Sequence, residues 1–139
     1  MIGQILNEAY ANNIILEHND NKLKLIYKEG VLSEHLKYEI KQNKKFILER
    51  LRENQLASDK GFLIYNHGDL YEYRYGFGAY LYIEREHNNK VSAWRANYPK
   101  DDNKPNRIIY LVKNTTFGHA FTKAVGFIDW LKRKKRDAF

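Results

Sequence analysis

The sequence IILEHNDNKLKLIY, residues 14–27, places a polar triplet between two runs of β-prone residues. A triplet of this kind between such runs is typical of the turn of a β-hairpin. In the second run apolar and basic residues alternate, so that Leu23 and Leu25 share one face and the lysines share the other. The pattern predicts a two-stranded hairpin whose second strand is buried on one side only.

Helical patterns flank this hairpin. Before it, apolar residues recur at the spacing of an amphipathic helix: Ile2, Ile5, Leu6, Ala9 and Tyr10. After it, Gly30 interrupts the chain, Ser33 is placed to cap a helix, and two helices broken near Asn43 are predicted over residues 32–51. Residues 1–54 should therefore form a compact module with one exposed sheet edge. The alternative is that the second half of the chain covers this edge.

In this order of elements, and in the Leu, Ser, Ile and Lys spacing of residues 32–47, the module resembles the TubC-type N-terminal docking domain. That family occurs at the start of nonribosomal peptide synthetase and hybrid polyketide subunits, where its second strand receives a C-terminal segment of the preceding subunit. The resemblance implies a protein partner and, because members are often dimers, self-association. It also implies a receiving strand and charge partners among Lys22, Leu23, Lys24, Leu25, Ile26, Tyr27 and Lys28.

A polar segment, residues 55–61, interrupts the helical pattern and predicts a linker. Beyond it, in residues 62–139, the hydrophobic period changes to two, which predicts strands at 62–65, 70–75, 79–85, 91–98 and 107–113. A helix capped by Thr115 or Thr116 follows. The expected fold class is α+β, with an N-terminal α-β-β-α-α docking-like module and a four- to five-stranded antiparallel sheet packed by a C-terminal helix.

Aromatic residues in the predicted sheet are more numerous than one helix can cover: Tyr71, Tyr73, Tyr75, Tyr80, Tyr82, Trp94 and Tyr98. Aromatic rings on an open sheet face, beside basic charge, are typical of proteins that bind single-stranded nucleic acid. The alternatives are cross-strand pairs that stabilise the sheet, packing on the N-terminal module, and a dimer contact.

The positive charge lies in the second part of the chain. Residues 1–59 hold nine Lys/Arg and nine Asp/Glu, whereas residues 60–139 hold fifteen and eight, so the whole excess of +7 lies there. Five basic residues are consecutive: Lys132, Arg133, Lys134, Lys135 and Arg136. Such a run attracts polyanions, above all nucleic acid. The alternative is that these cations favour a helix C-terminus and are otherwise solvated.

Signals of catalysis are missing from the sequence. There is no cysteine, no glycine-rich phosphate loop, and no pair of histidines spaced for one helix face. Neither a long apolar run nor a signal-peptide pattern is present. These absences predict a cytoplasmic protein that is not an enzyme, binds no metal or cofactor, and does not enter a membrane.

The combined patterns predict a non-enzymatic docking or adaptor protein that binds a partner protein. It would serve a multi-enzyme system, or be a phage or mobile-element protein that acts on host machinery. The alternatives are a single-stranded nucleic-acid-binding protein and an inhibitor of a nucleic-acid-guided host defence system, in the manner of an anti-CRISPR protein.

Overall fold

The computed structural model describes residues 2–100 and 103–136, without the side chains of residues 135 and 136. The elements in chain order are α1 (Ile2–Ala11), β1 (Ile15–Asn19), β2 (Lys22–Ile26), α2 (Glu34–Gln42), α3 (Lys44–Asp59), β3 (Leu63–Tyr65), β4 (Leu70–Gly76), β5 (Ala79–Arg85), β6 (Val91–Asn97), β7 (Arg107–Thr115) and α4 (Phe117–Arg136). β1 and β2 form one sheet, and the other five strands form a second sheet in sequence order. The predicted α+β fold is confirmed.

The chain divides into two compact units, each with its own core. The first unit contains Met1–Leu56 and Tyr65–Asp69, and the second contains Ala57–Ile64 and Leu70–Phe139. Buried aliphatic residues of α1, β1, α2 and α3 make the first core: Ile5, Leu6, Ala9, Ile14, Leu16, Leu36, Ile40 and Ile47. The second core lies between the five-stranded sheet and the apolar stripe of α4.

A capping motif at the end of α1 directs the chain into β1. Asn13 has a φ of 58°, a left-handed conformation that asparagine tolerates. Its N–H donates to the Tyr10 carbonyl over 3.0 Å, and the Ile14 N–H donates to the Ala9 carbonyl over 2.9 Å. These two bonds form a Schellman motif. Because Ile14 and Ala9 are fully buried, the core anchors the start of the hairpin.

The helices that follow the hairpin begin and end at polar residues. The Ser33 hydroxyl accepts from the Leu36 N–H over 3.1 Å, as predicted for its capping role, and Asn43 ends α2. α3 then continues through residues 55–59, contrary to the interruption predicted from their polar sequence. Fully buried Ala57, which belongs to the second core, accounts for the difference because it gives this turn of the helix an apolar anchor.

The inner face of the five-stranded sheet carries three of the predicted aromatic residues. Tyr71 lies opposite Ile83 and packs on Phe117 of α4, with 5.5 Å between ring centroids. Tyr75 packs on Phe127 of the same helix at 5.2 Å. Tyr73 shares this face and packs against the same core.

The hypothesis that these rings line an open, nucleic-acid-binding face is therefore wrong for Tyr71, Tyr73 and Tyr75. In β4 these tyrosines alternate with Glu72 and Arg74, and the register with β5 turns the tyrosines towards α4. The other face carries Tyr80, Tyr82 and Trp94, of which Tyr82 and Trp94 are direct cross-strand partners. Tyr98 meets Tyr80 edge-on and therefore belongs with this second group.

Candidate functional site

The hairpin turn is shorter than the predicted triplet. Asn19 pairs with Lys22, so Asp20 and Asn21 alone form the turn, and Asp20 takes a φ of 57°. In a hairpin with a two-residue turn, the residues that flank the turn form a hydrogen-bonded pair. Hydrogen-bonded and non-bonded pairs then alternate along the ladder. The register thus determines which backbone groups of β2 point towards β1.

The outer edge of β2 presents the backbone groups of alternate residues. Because Lys22, Lys24 and Ile26 direct their N–H groups towards β1, those of Leu23 and Leu25 point away from it. Among the residues that the structure describes, β2 pairs with β1 and with no other strand. In the part of the chain that the structure describes, no later strand pairs with this edge, which was the alternative left open by the sequence.

The side chains of β2 point alternately towards the core and towards the outer surface. Leu23 and Leu25 are half-buried and pack against the first core, whereas Lys22, Lys24 and Lys28 are exposed. The outer side also carries a small apolar patch, which we name the hairpin patch. It comprises Ile15, Ile26 and Tyr27, with exposed fractions of 47%, 42% and 46%. The edge is therefore flanked by apolar and basic groups.

Arg52 of α3 fixes the turn of the hairpin. Its guanidinium donates to the Asp20 carbonyl over 3.0 Å and to the Asn21 Oδ1 over 2.9 Å. These bonds hold the tip of β1 and β2 against α3, so that the edge is presented on a fixed support. Sequence reasoning missed Arg52 because no local pattern relates residues that lie more than thirty positions apart.

The turn Tyr65–Asp69 also belongs to the first unit. The His67 ring stacks on Tyr10 with 4.3 Å between centroids. The His67 carbonyl accepts from the Asn54 amide over 3.1 Å. Burial lowers the pKa of His67, and the nearby Asp69 carboxylate opposes this effect. Burial therefore favours the neutral imidazole at this position, a feature that the sequence did not indicate.

The predicted nucleic-acid residues are distributed over several surfaces. Tyr80, Tyr82 and Trp94 lie on the open sheet face, and sequence reasoning missed Tyr110, which is the cross-strand partner of Trp94. Burial raises the pKa of Tyr82, with a further contribution from Tyr98. In the basic run, Lys132, Arg133 and Lys134 are exposed on α4, while the side chains of Lys135 and Arg136 lie outside the described residues.

The described side chains form no metal centre that we can recognise. Within residues 2–100 and 103–136, no three His, Cys, Asp or Glu side chains are grouped to hold a metal ion. In the same part of the chain, no helix has both the length and the apolar character that a membrane crossing requires.

Comparison with known proteins bears on the first unit. Residues 2–53 match the family model of the TubC N-terminal docking domain, which confirms the resemblance found in the sequence. The match contains α1, β1, β2, α2 and the first part of α3. No curated protein and no solved structure matches the chain.

Proposed function

We propose that the first unit docks a partner protein by pairing β2 with an extended segment of the partner. The observation that carries this proposal is the outer edge of β2, where the backbone groups of Leu23 and Leu25 have no neighbouring strand in the described chain. An exposed edge offers donors and acceptors that an incoming strand completes. The match of residues 2–53 to a docking domain supports the same role.

The side chains along the edge indicate what the partner segment contains. Lys22, Lys24 and Lys28 are exposed and favour carboxylates in the segment. Beside them, Ile26 and Tyr27 of the hairpin patch favour an apolar side chain. The proposed partner is therefore an extended, acidic segment with at least one apolar anchor. Main-chain pairing supplies affinity, and these side chains supply selectivity.

The edge can be tested by replacing one backbone group and no side chain. Extended peptides selected from a displayed random library against the full chain serve as the probe. The variant carries an ester in place of the amide bond that ends at Leu25, which removes the outward N–H and keeps the leucine side chain. Loss of one hydrogen bond should weaken peptide binding by about 3- to 10-fold.

An ester at Glu34 is the matched control, because the N–H of this exposed first residue of α2 has no acceptor within the helix. The control should bind the peptide with unchanged affinity. Amide exchange gives a second readout, because bound peptide should slow the exchange of the Leu23 and Leu25 amides. Selected peptides that protect other amides, or that bind the Leu25 ester normally, would contradict the proposal.

A docking role needs no catalysis, and we propose that the protein is not an enzyme. Its cytoplasmic location and self-association stay predictions. So do its wider settings, namely a multi-enzyme system, a phage or mobile element acting on host machinery, and inhibition of nucleic-acid-guided defence. Identification of the segment that β2 accepts is expected to select among them.

A further inference from the structure

One end of the five-stranded sheet gathers several strand ends. Gly76, Ala79, Asn97 and Arg107 pair in one row across β4, β5, β6 and β7. The β4–β5 turn and the start of β7 therefore lie at the same end of the sheet. We name this region the basic-aromatic end, comprising Phe77, Tyr80, Tyr98, Arg107, Trp130 and residues 132–134.

α4 runs towards this same end. Near its start Phe117 packs on Tyr71, and two to three turns later Phe127 packs on Tyr75, which is next to the last residue of β4. Each further helical residue advances about 1.5 Å. The basic run that begins at Lys132 therefore extends past the row of strand ends. The fold therefore brings the β4–β5 turn and the basic run to the same end of the sheet, although they lie more than fifty residues apart in the sequence.

Phe77 projects from a turn that is fixed at its base. Its side chain is 89% exposed, the largest exposed fraction among the large hydrophobic residues described. The Tyr98 N–H donates to the Gly78 carbonyl over 2.7 Å. Gly78 has a φ of 69°, and a Cβ there would lie 2.5 Å from the Tyr98 carbonyl oxygen. The turn is thus tied to β6 and holds an apolar ring in water.

Further aromatic rings lead from this end across the open face. Tyr98 meets Tyr80 edge-on at 5.5 Å, and Tyr80 stacks with Tyr82 at 5.9 Å. Trp94 follows at 4.5 Å from Tyr82, and Tyr110, which is 46% exposed, lies 6.3 Å beyond Trp94. These rings form a continuous row across three strands, whereas α4 covers the opposite face.

Cations accompany the rings. The Arg74 guanidinium lies 5.5 Å from the centre of the Tyr80 ring, and Lys134 lies 5.0 Å from that of Trp130. Arg107 and Lys100 are exposed nearby. Two carboxylates of this region are already paired, Glu72 with Arg74 and Asp129 with Lys60. Asp101 and Asp102 lie outside the described residues. The charge of this end therefore suits an anionic ligand.

We propose that the second unit binds single-stranded nucleic acid at the basic-aromatic end. Phe77 stacks on one base, and Tyr98 and Tyr80 accept the bases that follow towards the open face. Arg107 and residues 132–134 contact phosphates. Rings that stack on bases require them to be unpaired, which favours a single strand over a duplex.

The arrangement of the rings favours nucleic acid over a membrane surface. A bilayer would meet the projecting Phe77 and the basic residues, as it does in peripheral membrane proteins. It could not at the same time reach the row from Tyr82 to Tyr110, because these rings lie along the sheet and not at its end. A flexible strand with flat bases fits both parts of the surface.

The test measures binding of the full chain to a labelled oligothymidylate of about 20 nucleotides by fluorescence anisotropy. Phe77→Ala removes the exposed ring and should weaken binding by at least about fivefold. Phe46→Ala is its matched control, because Phe46 of α3 is also exposed, at 51%, and lies in the first unit. The control should change the dissociation constant less than about twofold.

The charge contribution is tested by a triple variant, Lys132→Gln with Arg133→Gln and Lys134→Gln. It should weaken binding at least about tenfold and reduce the salt dependence by about two to three ion equivalents. The control triple, Lys37→Gln with Lys41→Gln and Lys45→Gln, lowers the net charge equally at exposed sites of α2 and α3. It should retain most of the affinity.

The proposal would be overturned if the chain did not bind the oligonucleotide at low salt, or if each variant and its control had equal effects. A preference for a duplex of the same sequence would also overturn it. So would Phe77-dependent binding to anionic phosphatidylglycerol vesicles without oligonucleotide binding. Circular dichroism of each variant establishes that a loss of binding is not a loss of fold. The peptide-docking experiment addresses residues of the first unit, so either proposal can fail while the other stands.

Discussion

The two sheets of this protein expose different parts of the polypeptide. In the described chain the hairpin leaves the outward backbone groups of Leu23 and Leu25 without a neighbouring strand, whereas the five-stranded sheet leaves a row of aromatic rings on one face. An edge binds through main-chain groups that any extended segment can complete, so its selectivity depends on flanking side chains. A face binds through rings whose positions depend on strand register. The two surfaces should therefore respond to different substitutions.

The largest expected effect is a difference in stability between substitutions on the two faces of the five-stranded sheet. Tyr71→Ala empties a fully buried position against Phe117 and should lower the free energy of unfolding by about 3–5 kcal/mol. Tyr110→Ala on the open face should cost less than about 1 kcal/mol. Urea unfolding of both variants measures the difference. Equal losses would show that the open face is as tightly packed as the inner one.

A smaller effect is expected at the turn beside Phe77. Gly78→Ala introduces a Cβ at a positive φ and against the Tyr98 carbonyl, which should cost about 1–3 kcal/mol. Gly118→Ala is the control, because no atom lies within 4 Å of its new Cβ and alanine favours a helix. Thermal unfolding should move in opposite directions for the two variants. A neutral Gly78→Ala would mean that the turn is not fixed by β6.

The outer edge of β2, by contrast, should be sensitive to the hydrogen bonds by which Arg52 holds the hairpin turn. Arg52→Ala removes two hydrogen bonds to the hairpin turn and should destabilise the hairpin locally by about 1 kcal/mol. The β1 and β2 amides should then exchange faster, while those of β5 and β6 should not. Arg52→Lys keeps the charge but not the planar donor pair, and should restore protection only in part.

The smallest expected effect is a pH dependence in the first unit. Because burial lowers the pKa of His67 from 6.5, the folded chain favours the neutral ring. The contribution of the stack is therefore complete above the unfolded pKa and is lost as the pH falls through the folded value. As the pH falls below 6.5, the Tyr10 ring signals should shift as the stack opens. In Tyr10→Ala, the pKa of His67, followed by NMR, should return towards 6.5.

Local patterns predicted the elements well. The alternation of Leu23 and Leu25 with lysines predicted β2 and its buried face, and Ser33 was recognised as a helix cap from its position alone. These successes share a cause, since strand alternation and helix capping depend on residues that lie within a few positions of one another. The five-stranded sheet was also within the prediction, and each of its strands lies beside its sequence neighbour.

Features that depend on distant residues could not be predicted from the sequence. The inward placement of Tyr71, Tyr73 and Tyr75 depends on which side of the sheet α4 occupies, and alternation is the same for either side. The bonds from Arg52 to the hairpin turn, and the stack of Tyr10 on His67, join residues that are remote in the chain. The helical state of residues 55–59 likewise depends on the burial of Ala57 in a core formed by later elements.

The β4–β5 turn has a consequence for how this protein could diverge. Gly78 and its hydrogen bond with Tyr98 determine the shape of the turn. The side chain that projects from the turn belongs to a different residue, Phe77. Position 77 is almost fully surrounded by water, so its side chain can be exchanged without strain on the scaffold. A substitution of residue 77 would therefore change what the turn binds, while the fold that supports the turn stays the same.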